Sequence, residues 1–283
     1  MNTDIFFTQG TTHKICEDYA MSNKSKQAPF VAVCDGCSSA PNTDFGARIL
    51  AHSALPFLSA NVDHFNIAEF IYNILGTSLA VCRSLQLDPD CLCATFLALK
   101  AMGSKVRIMQ IGDGVVVYKN DTATRIIEVE FPGGAPYYAR YEFNPRAKAK
   151  FEELEVKLTT TLITAAGIEK IQTTIRSSDF LYALNQEIFK PSFAKEDGLV
   201  EWDYLAIMSD GASSFTRLNT TQTGKRNEPV PIEDIVVPLL AFKGTKGEFV
   251  QRRCRRAFKE FEKKGWHNTD DFSIGVMALN EDA

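Results

Sequence analysis

The sequence predicts a mixed α+β fold of antiparallel sheets flanked by helices, and three observations carry that expectation. Short apolar runs end in Asp-Gly at residues 30–36 (FVAVCDG) and 203–211 (DYLAIMSDG), the pattern of buried strands stopped by turns. Three further runs, CLCATFLALK, KVRIMQIGDG and VVVYKN, follow one another across a Gly-Ser and a Gly-Asp-Gly turn, as in an antiparallel meander. Amphipathic helical stretches stand apart from these strands at residues 42–60, 66–85 and 247–264.

In chain order, the run at 30–36 is a buried strand that places Asp35 at its end. The first helix has Asn42 or Thr43 as its cap, and a second helix follows. The meander puts Asp113 at another strand end and sends Cys91 and Cys93 to one strand face. Residues 131–150 are rich in Gly, Pro and aromatics and fit no period, so they read as an irregular surface segment, a lid or a loop. Strands are expected at 153–165, 170–177 and 203–211, and a polar loop at 219–231. The last helix aligns Val250, Cys254, Ala257, Phe258 and Phe261 on one face. Its basic residues (Arg252, Arg253, Arg255, Arg256, Lys259, Lys263, Lys264) read as a solvated outer face. A final strand, DFSIGVMAL, is entered from Thr269-Asp270-Asp271.

With 283 residues, no internal repeat and no break in composition, one domain over 1–283 is expected. Thirty-one basic and 35 acidic residues give a net charge of -4, which supplies no attraction for nucleic acid or an anionic membrane. No leader and no spanning segment is spelled, so the expectation is a cytoplasmic monomer without nucleic-acid or membrane partners. Most of the seven cysteines sit in apolar runs as core thiols. Cys34-Asp35-Gly36-Cys37 has no second Cys or His pair at zinc-finger distance, and it lacks the helix-opening context of a redox motif.

Asp35, Asp113, Asp210 and Asp270 each stand at a strand end, and Glu17-Asp18 lies in the N-terminal segment. Any one Asp-Gly alone is adequately explained as a turn. Carboxylates that converge repel one another unless they are protonated or neutralised, so a site for several hard cations explains the set. Oxygen ligands favour Mg²⁺ or Mn²⁺ over zinc.

The series GTTHKICEDYA, VAVCDGCSSAPNTDFGARIL, CLCATFLALKAMGSKVRIMQIGDGVVVYK, YLAIMSDG and NTDDFSIGVM resembles, in order and approximate spacing, the motifs of the PP2C family of protein phosphatases, and its compact bacterial branch best. The resemblance spans residues 10–277 and is loose over 131–200. It implies a four-layer α/β/β/α sandwich and metal-dependent hydrolysis of phosphoserine and phosphothreonine in a phosphorylated protein substrate. Two or three Mn²⁺ or Mg²⁺ ions are implied as cofactors. Carried over by motif, Asp35 would bridge two ions, with the Gly36 carbonyl and water held by Glu17 completing one of them. Asp210 and Asp270 would hold the other, Asp113 with Asp210 a third, and Asp18 would orient water from behind the ligands. Such cations offset phosphoryl charge and lower the pKa of an attacking water, so no covalent phosphoenzyme is required.

Three positions depart from the family pattern. An arginine that binds the substrate phosphate is replaced by His13, followed by Lys14, so these two residues are the expected phosphate contacts. The histidine that often follows the first Asp-Gly is Cys37, which leaves His13 or a water to protonate the leaving group. Asp271 stands where Asn is usual, while Thr95, Ser38, Ser39 and Asn42 read as structural supports. A catalytically silent binding or sensing module and a phosphatase of a small phosphorylated metabolite are the alternative readings.

Overall fold

The computed structural model describes residues 1–23, 28–60, 66–103, 105–177, 187–189, 202–221 and 224–280. In chain order its strands are β1 (Asn2–Thr8), β2 (Tyr19–Asn23), β3 (Phe30–Cys34), β4 (Phe96–Met102), β5 (Lys105–Ile111), β6 (Gly114–Lys119), β7 (Ala123–Glu130) and β8 (Glu155–Thr164). Then come β9 (Gly167–Arg176), β10 (Glu187–Phe189), β11 (Tyr204–Met208), β12 (Phe215–Thr221), β13 (Gly224–Pro229), β14 (Trp266–Asn268) and β15 (Phe272–Ala278). The helices are α1 (Thr43–Ser59), α2 (Ile67–Ser84), α3 (Pro145–Glu152), α4 (Ile232–Leu239) and α5 (Phe249–Lys263).

All strand pairs are antiparallel, in a seven-stranded sheet ordered β1-β15-β11-β6-β7-β8-β9, a five-stranded sheet ordered β10-β5-β4-β3-β2, and a small β13-β12-β14 sheet. The period of two along each strand distributes the core. In β3, Phe30, Ala32 and Cys34 pack under α1 and α2, while Val31 and Val33 face the seven-stranded sheet. On that sheet, Leu205 and Ile207 of β11 meet them, and Tyr204, Ala206 and Met208 turn outward beneath α4 and α5. The result is the expected α/β/β/α sandwich, and it explains why β3, β4, β11 and β15 are buried along their whole length. Each large side chain buried between the layers is worth about 1.5–3 kcal/mol against exposure. No described helix is long and apolar enough to cross a membrane.

Several expectations are corrected. The three runs at 91–120 are not one meander: β4 and β5 form a hairpin, but β6 belongs to the other sheet, where it pairs with β11 and β7. Gly112 (φ 92°) and Gly114 (φ 129°) let the chain cross between the layers, and Asp113 sits in that crossover. Cys91 and Cys93 do not share a strand face, because Asp88 accepts from the Asp90 amide and Pro89 opens a short 3₁₀ turn through Leu92. Cys91 Sγ instead lies 3.5 Å from Cys82 Sγ in a buried cluster under α2.

The expected loop at 219–231 is largely the β12–β13 hairpin, built from backbone pairing that polar side chains do not disclose. Residues 131–150 are not the wholly irregular surface segment expected: Pro145–Glu152 form α3, capped by Asn144, which accepts from the Ala147 amide, and Tyr137 and Ala139 are buried against the α1–α2 core. The remainder of the loosely matching region, at 178–186 and 190–200, lies outside the described residues. Strands β1, β2 and β7 and helix α4 are elements that the sequence pattern did not suggest.

The caps differ at the two adjoining helices. Asn66 caps α2, accepting from the amides of Ala68 and Glu69. At α1, Asn42 takes the left-handed conformation without a side-chain cap, and the Thr43 hydroxyl donates instead to Glu17 Oε1 at 2.7 Å. That bond ties α1 to the N-terminal segment carrying the candidate site.

Candidate metal centre

Antiparallel pairing brings several strand ends to one pole of the sandwich. Asp35 follows β3, Asp113 follows β5, Asp210 follows β11 and Asp270 precedes β15. These four carboxylates, with Gly36 and His13, line one cleft of about 300 Å³. Cys37, Ser38, Ser39 and Thr95 complete its floor and rim, and Gly134, Pro136 and Tyr138 of the 131–150 segment form a wall. That segment therefore contributes to the site, which the sequence reading left open.

The N-terminal loop is locked into this pole by Asp271, which is 2% exposed. Its two carboxylate oxygens accept from the backbone amides of Gly10 at 2.7 Å and Glu17 at 2.6 Å. Close backbone approach makes glycine necessary nearby: a Cβ on Gly10 would stand 2.2 Å from the Asp270 carbonyl carbon, and one on Gly211 would stand 1.7 Å from the Asp271 carbonyl oxygen. Asp271 thus faces inward as a brace for the loop that presents His13, Glu17 and Asp18.

His13 lies among carboxylates, with Nε2 3.0 Å from Asp270 Oδ1 and Nδ1 3.3 Å from Asp271 Oδ2 and 3.5 Å from Glu17 Oε2. Glu17 is held by Thr43 and lines an adjoining hollow with Thr12, Ile15 and Ser38. Lys14 is exposed and borders that hollow, not the carboxylate cleft. Asp18 is fully buried and accepts from the Ser209 hydroxyl at 2.7 Å, while Ser209 in turn accepts from the Ser273 amide at 3.0 Å. Thr95 accepts from the Asp35 amide and donates its own amide to the Asp35 carbonyl, fixing the strand end.

The electrostatics are those of an uncompensated anion cluster. Burial, reinforced by the charges of Asp18 and Asp210, pushes the Asp35 carboxyl well above its ordinary range. Burial and the Asp210 and Asp270 charges push Asp113 up to about 8. Asp210 is likewise raised by burial, against a hydrogen bond with Asp35 and with the Asp270 charge adding to the rise. Burial, partly offset by the Ser209 and Ser273 hydroxyls, pushes Asp18 up to about 7. Among the described residues, His13 is the one basic side chain lining the cleft. Asp18 Oδ1 is buried with no hydrogen-bond partner of ordinary geometry among the described residues.

These observations fit divalent cations. The donors are hard oxygens, the carboxylates can hold their charge together only with added positive charge, and one buried carboxylate oxygen is left over. The braces Asp271, Ser209, Ser273 and Thr43 were not foreseen as site residues; the serines stand in strand-like strings where only a polar residue amid buried neighbours marks them.

Residues 10–140 match the family model described as protein phosphatase 2C. Among solved structures, the chain is similar to a bacterial serine phosphatase at 13% identity and a TM-score of 0.53, covering 100% of this chain and 99% of that one. It is similar to a serine/threonine phosphatase of Mycobacterium tuberculosis at 12% identity and a TM-score of 0.51, covering 98% of each. A serine/threonine phosphatase of Staphylococcus aureus aligns at 13% identity and a TM-score of 0.52, covering 99% of this chain and 96% of that one. At such identities the likeness is one of fold. Among curated proteins, none matches the chain in sequence.

Proposed function

We propose, from a chain that matches protein phosphatase 2C over residues 10–140 and shares its fold throughout with bacterial phosphatases, that this protein hydrolyses phosphoserine and phosphothreonine in other proteins. The observation that carries the proposal is the convergence of Asp35, Asp113, Asp210 and Asp270 on one cleft in which, among the described residues, His13 is the only basic side chain.

Two or three Mn²⁺ or Mg²⁺ ions would be held by Asp35, the Gly36 carbonyl, Asp113, Asp210 and Asp270, with Glu17 acting through water. When bound, such ions offset the charge of a phosphomonoester and make hydroxide available at neutral pH. The chain's own groups prepare the rest. Asp271 fixes the loop so that His13 stands at the cleft, where its N–H is positioned to donate to a phosphoryl oxygen or to the departing hydroxyl. Asp18, buried and held by Ser209, would orient water from behind the ligands. Tyr138 and Pro136 wall the cleft and limit solvent on that side, and Lys14 on the outer rim is placed for the segment flanking the phosphorylated residue.

Phosphate release from a phosphothreonine peptide tests this, using metal-stripped protein resupplied with Mn²⁺ or Mg²⁺ beside an Asp35→Asn variant. Metal-dependent turnover that the variant loses is expected. Turnover of small phosphate esters with none on the peptide would point to a metabolite phosphatase. Metal binding without turnover of either would leave a binding or sensing module as the reading.

A further inference from the structure

The basic stretch of α5 is exposed, as read from the sequence, except for half-buried Arg253, and part of it lines an open cleft of about 600 Å³ with Phe242, Lys243 and Lys246, to which it contributes Arg252, Arg253 and Arg256. Among the described residues no carboxylate lines this cleft, although the chain as a whole carries a net charge of -4. Arg252 and Arg256 are one helical turn apart and so share a face. Arg253 is partly engaged, donating to the Pro238 carbonyl and pairing with Glu260 at 3.3 Å. Lys243, Lys246, Arg252 and Arg256 form no ion pair among the described residues. Arg252 donates to the Lys246 carbonyl at 2.8 Å, which holds the lysine loop against the helix.

We propose that this cleft docks a phosphorylated segment of a protein substrate, an inference that rests on the phosphatase reading above. A phosphothreonine brings close to two negative charges and three acceptor oxygens, which suit clustered guanidinium groups. The partly exposed ring of Phe242 offers an apolar surface to a neighbouring side chain. The cleft is not the place of reaction. Asn2 donates to Thr245 beside it, whereas Gly10, past the other end of β1, abuts Asp271 in the carboxylate site. At about 3.3 Å per strand residue the two sites stand roughly 26 Å apart, so they would engage different phosphoryl groups of one substrate.

Fluorescence anisotropy of a labelled acidic phosphothreonine peptide on the metal-stripped full chain tests the docking site, because without cations the carboxylate cleft repels phosphate. A Lys243→Gln, Lys246→Gln, Arg256→Gln variant should bind the peptide at least about tenfold more weakly. Its metal-loaded turnover of p-nitrophenyl phosphate should match that of the unsubstituted protein, which shows that the fold survives. Equal binding by the variant, equal binding of the unphosphorylated peptide, or stronger binding of a mixed-sequence DNA strand would overturn the inference. Absence of turnover in the unsubstituted protein would sink the phosphatase reading, and anisotropy would still decide whether the cleft binds.

Discussion

The imidazole of His13 stands 3.0 Å from the carboxylate of Asp270, at the edge of the cleft where the acidic strand ends meet. The histidine therefore contacts Asp270, Asp271 and Glu17 in the cation-free protein, and on the proposed reading it donates a hydrogen bond to phosphate in the loaded one. For His13→Ala, the lost bond to a charged group is worth about 1.5–3 kcal/mol, which predicts a kcat/KM on a phosphothreonine peptide about ten- to a hundredfold lower. Unchanged kinetics would place His13 outside the reaction. The same variant should melt at a lower temperature when stripped of metal and recover with Mn²⁺, since only the cation then faces Asp270, Asp271 and Glu17.

Asp35 is expected to reverse the usual relation between substitution and stability. Its carboxyl is raised by burial and by the Asp18 and Asp210 charges, so in metal-free protein it is a source of repulsion. Asp35→Asn should raise the melting temperature of metal-stripped protein by about 2–6 °C and lose most of the further rise that Mn²⁺ gives the unsubstituted chain. Differential scanning calorimetry with and without Mn²⁺ reads both effects. A lower metal-free melting temperature would mean that Asp35 is held by hydrogen bonds that outweigh the repulsion.

How much of this was legible beforehand depended on whether the signal was local. Helices α1, α2 and α5 announce themselves by period, and β3 and β11 by apolar runs that stop at Asp-Gly. The site carboxylates became legible through the order of their motifs. Gly112-Asp113-Gly114 spells a hairpin and a crossover equally well; pairing of β6 with β11, some ninety positions away, decides between them. Asp270 and Asp271 share one letter, and only the fold shows that the second braces Gly10 and Glu17. Likewise β12 and β13 are polar because their partners are backbone groups, which leaves no hydrophobic pattern to read.

Glu128 on β7 gives stability a pH dependence away from the site. Burial first, then the charge of Glu130, pushes its carboxyl up to about 7, and its Oε1 has no hydrogen-bond partner among the described residues. A carboxyl raised in the folded state holds a proton that the unfolded chain has already lost above its ordinary value near 4.5. Stability from this group therefore falls as pH rises through the window from about 4.5 to about 7, and the loss is complete above it. Glu128→Gln should be nearly neutral at the acid end of the window and stabilising above neutrality. Melting curves across that range check the sign, and a variant destabilised equally at every pH would contradict it.

Asp4 links the two ends of the chain. It is 3% exposed on β1, and its Oδ2 accepts from the amides of Val250 at 2.7 Å and Gln251 at 3.3 Å, in the first turn of α5. The residue in the N-cap position, Glu248, makes no side-chain cap bond, so a strand 246 positions away in sequence supplies the acceptor. The carboxylate also faces the positive end of the helix dipole. Asp4→Ala leaves both amides buried and unpaired and should cost about 2 kcal/mol. Asp4→Asn keeps an acceptor but gives up the charge, and should cost about half as much. Denaturant melts of the two variants give the comparison. If Ala and Asn are equally harmful, the charge of Asp4 sets the stability of the α5 start; if Asn is harmless, the acceptor alone does.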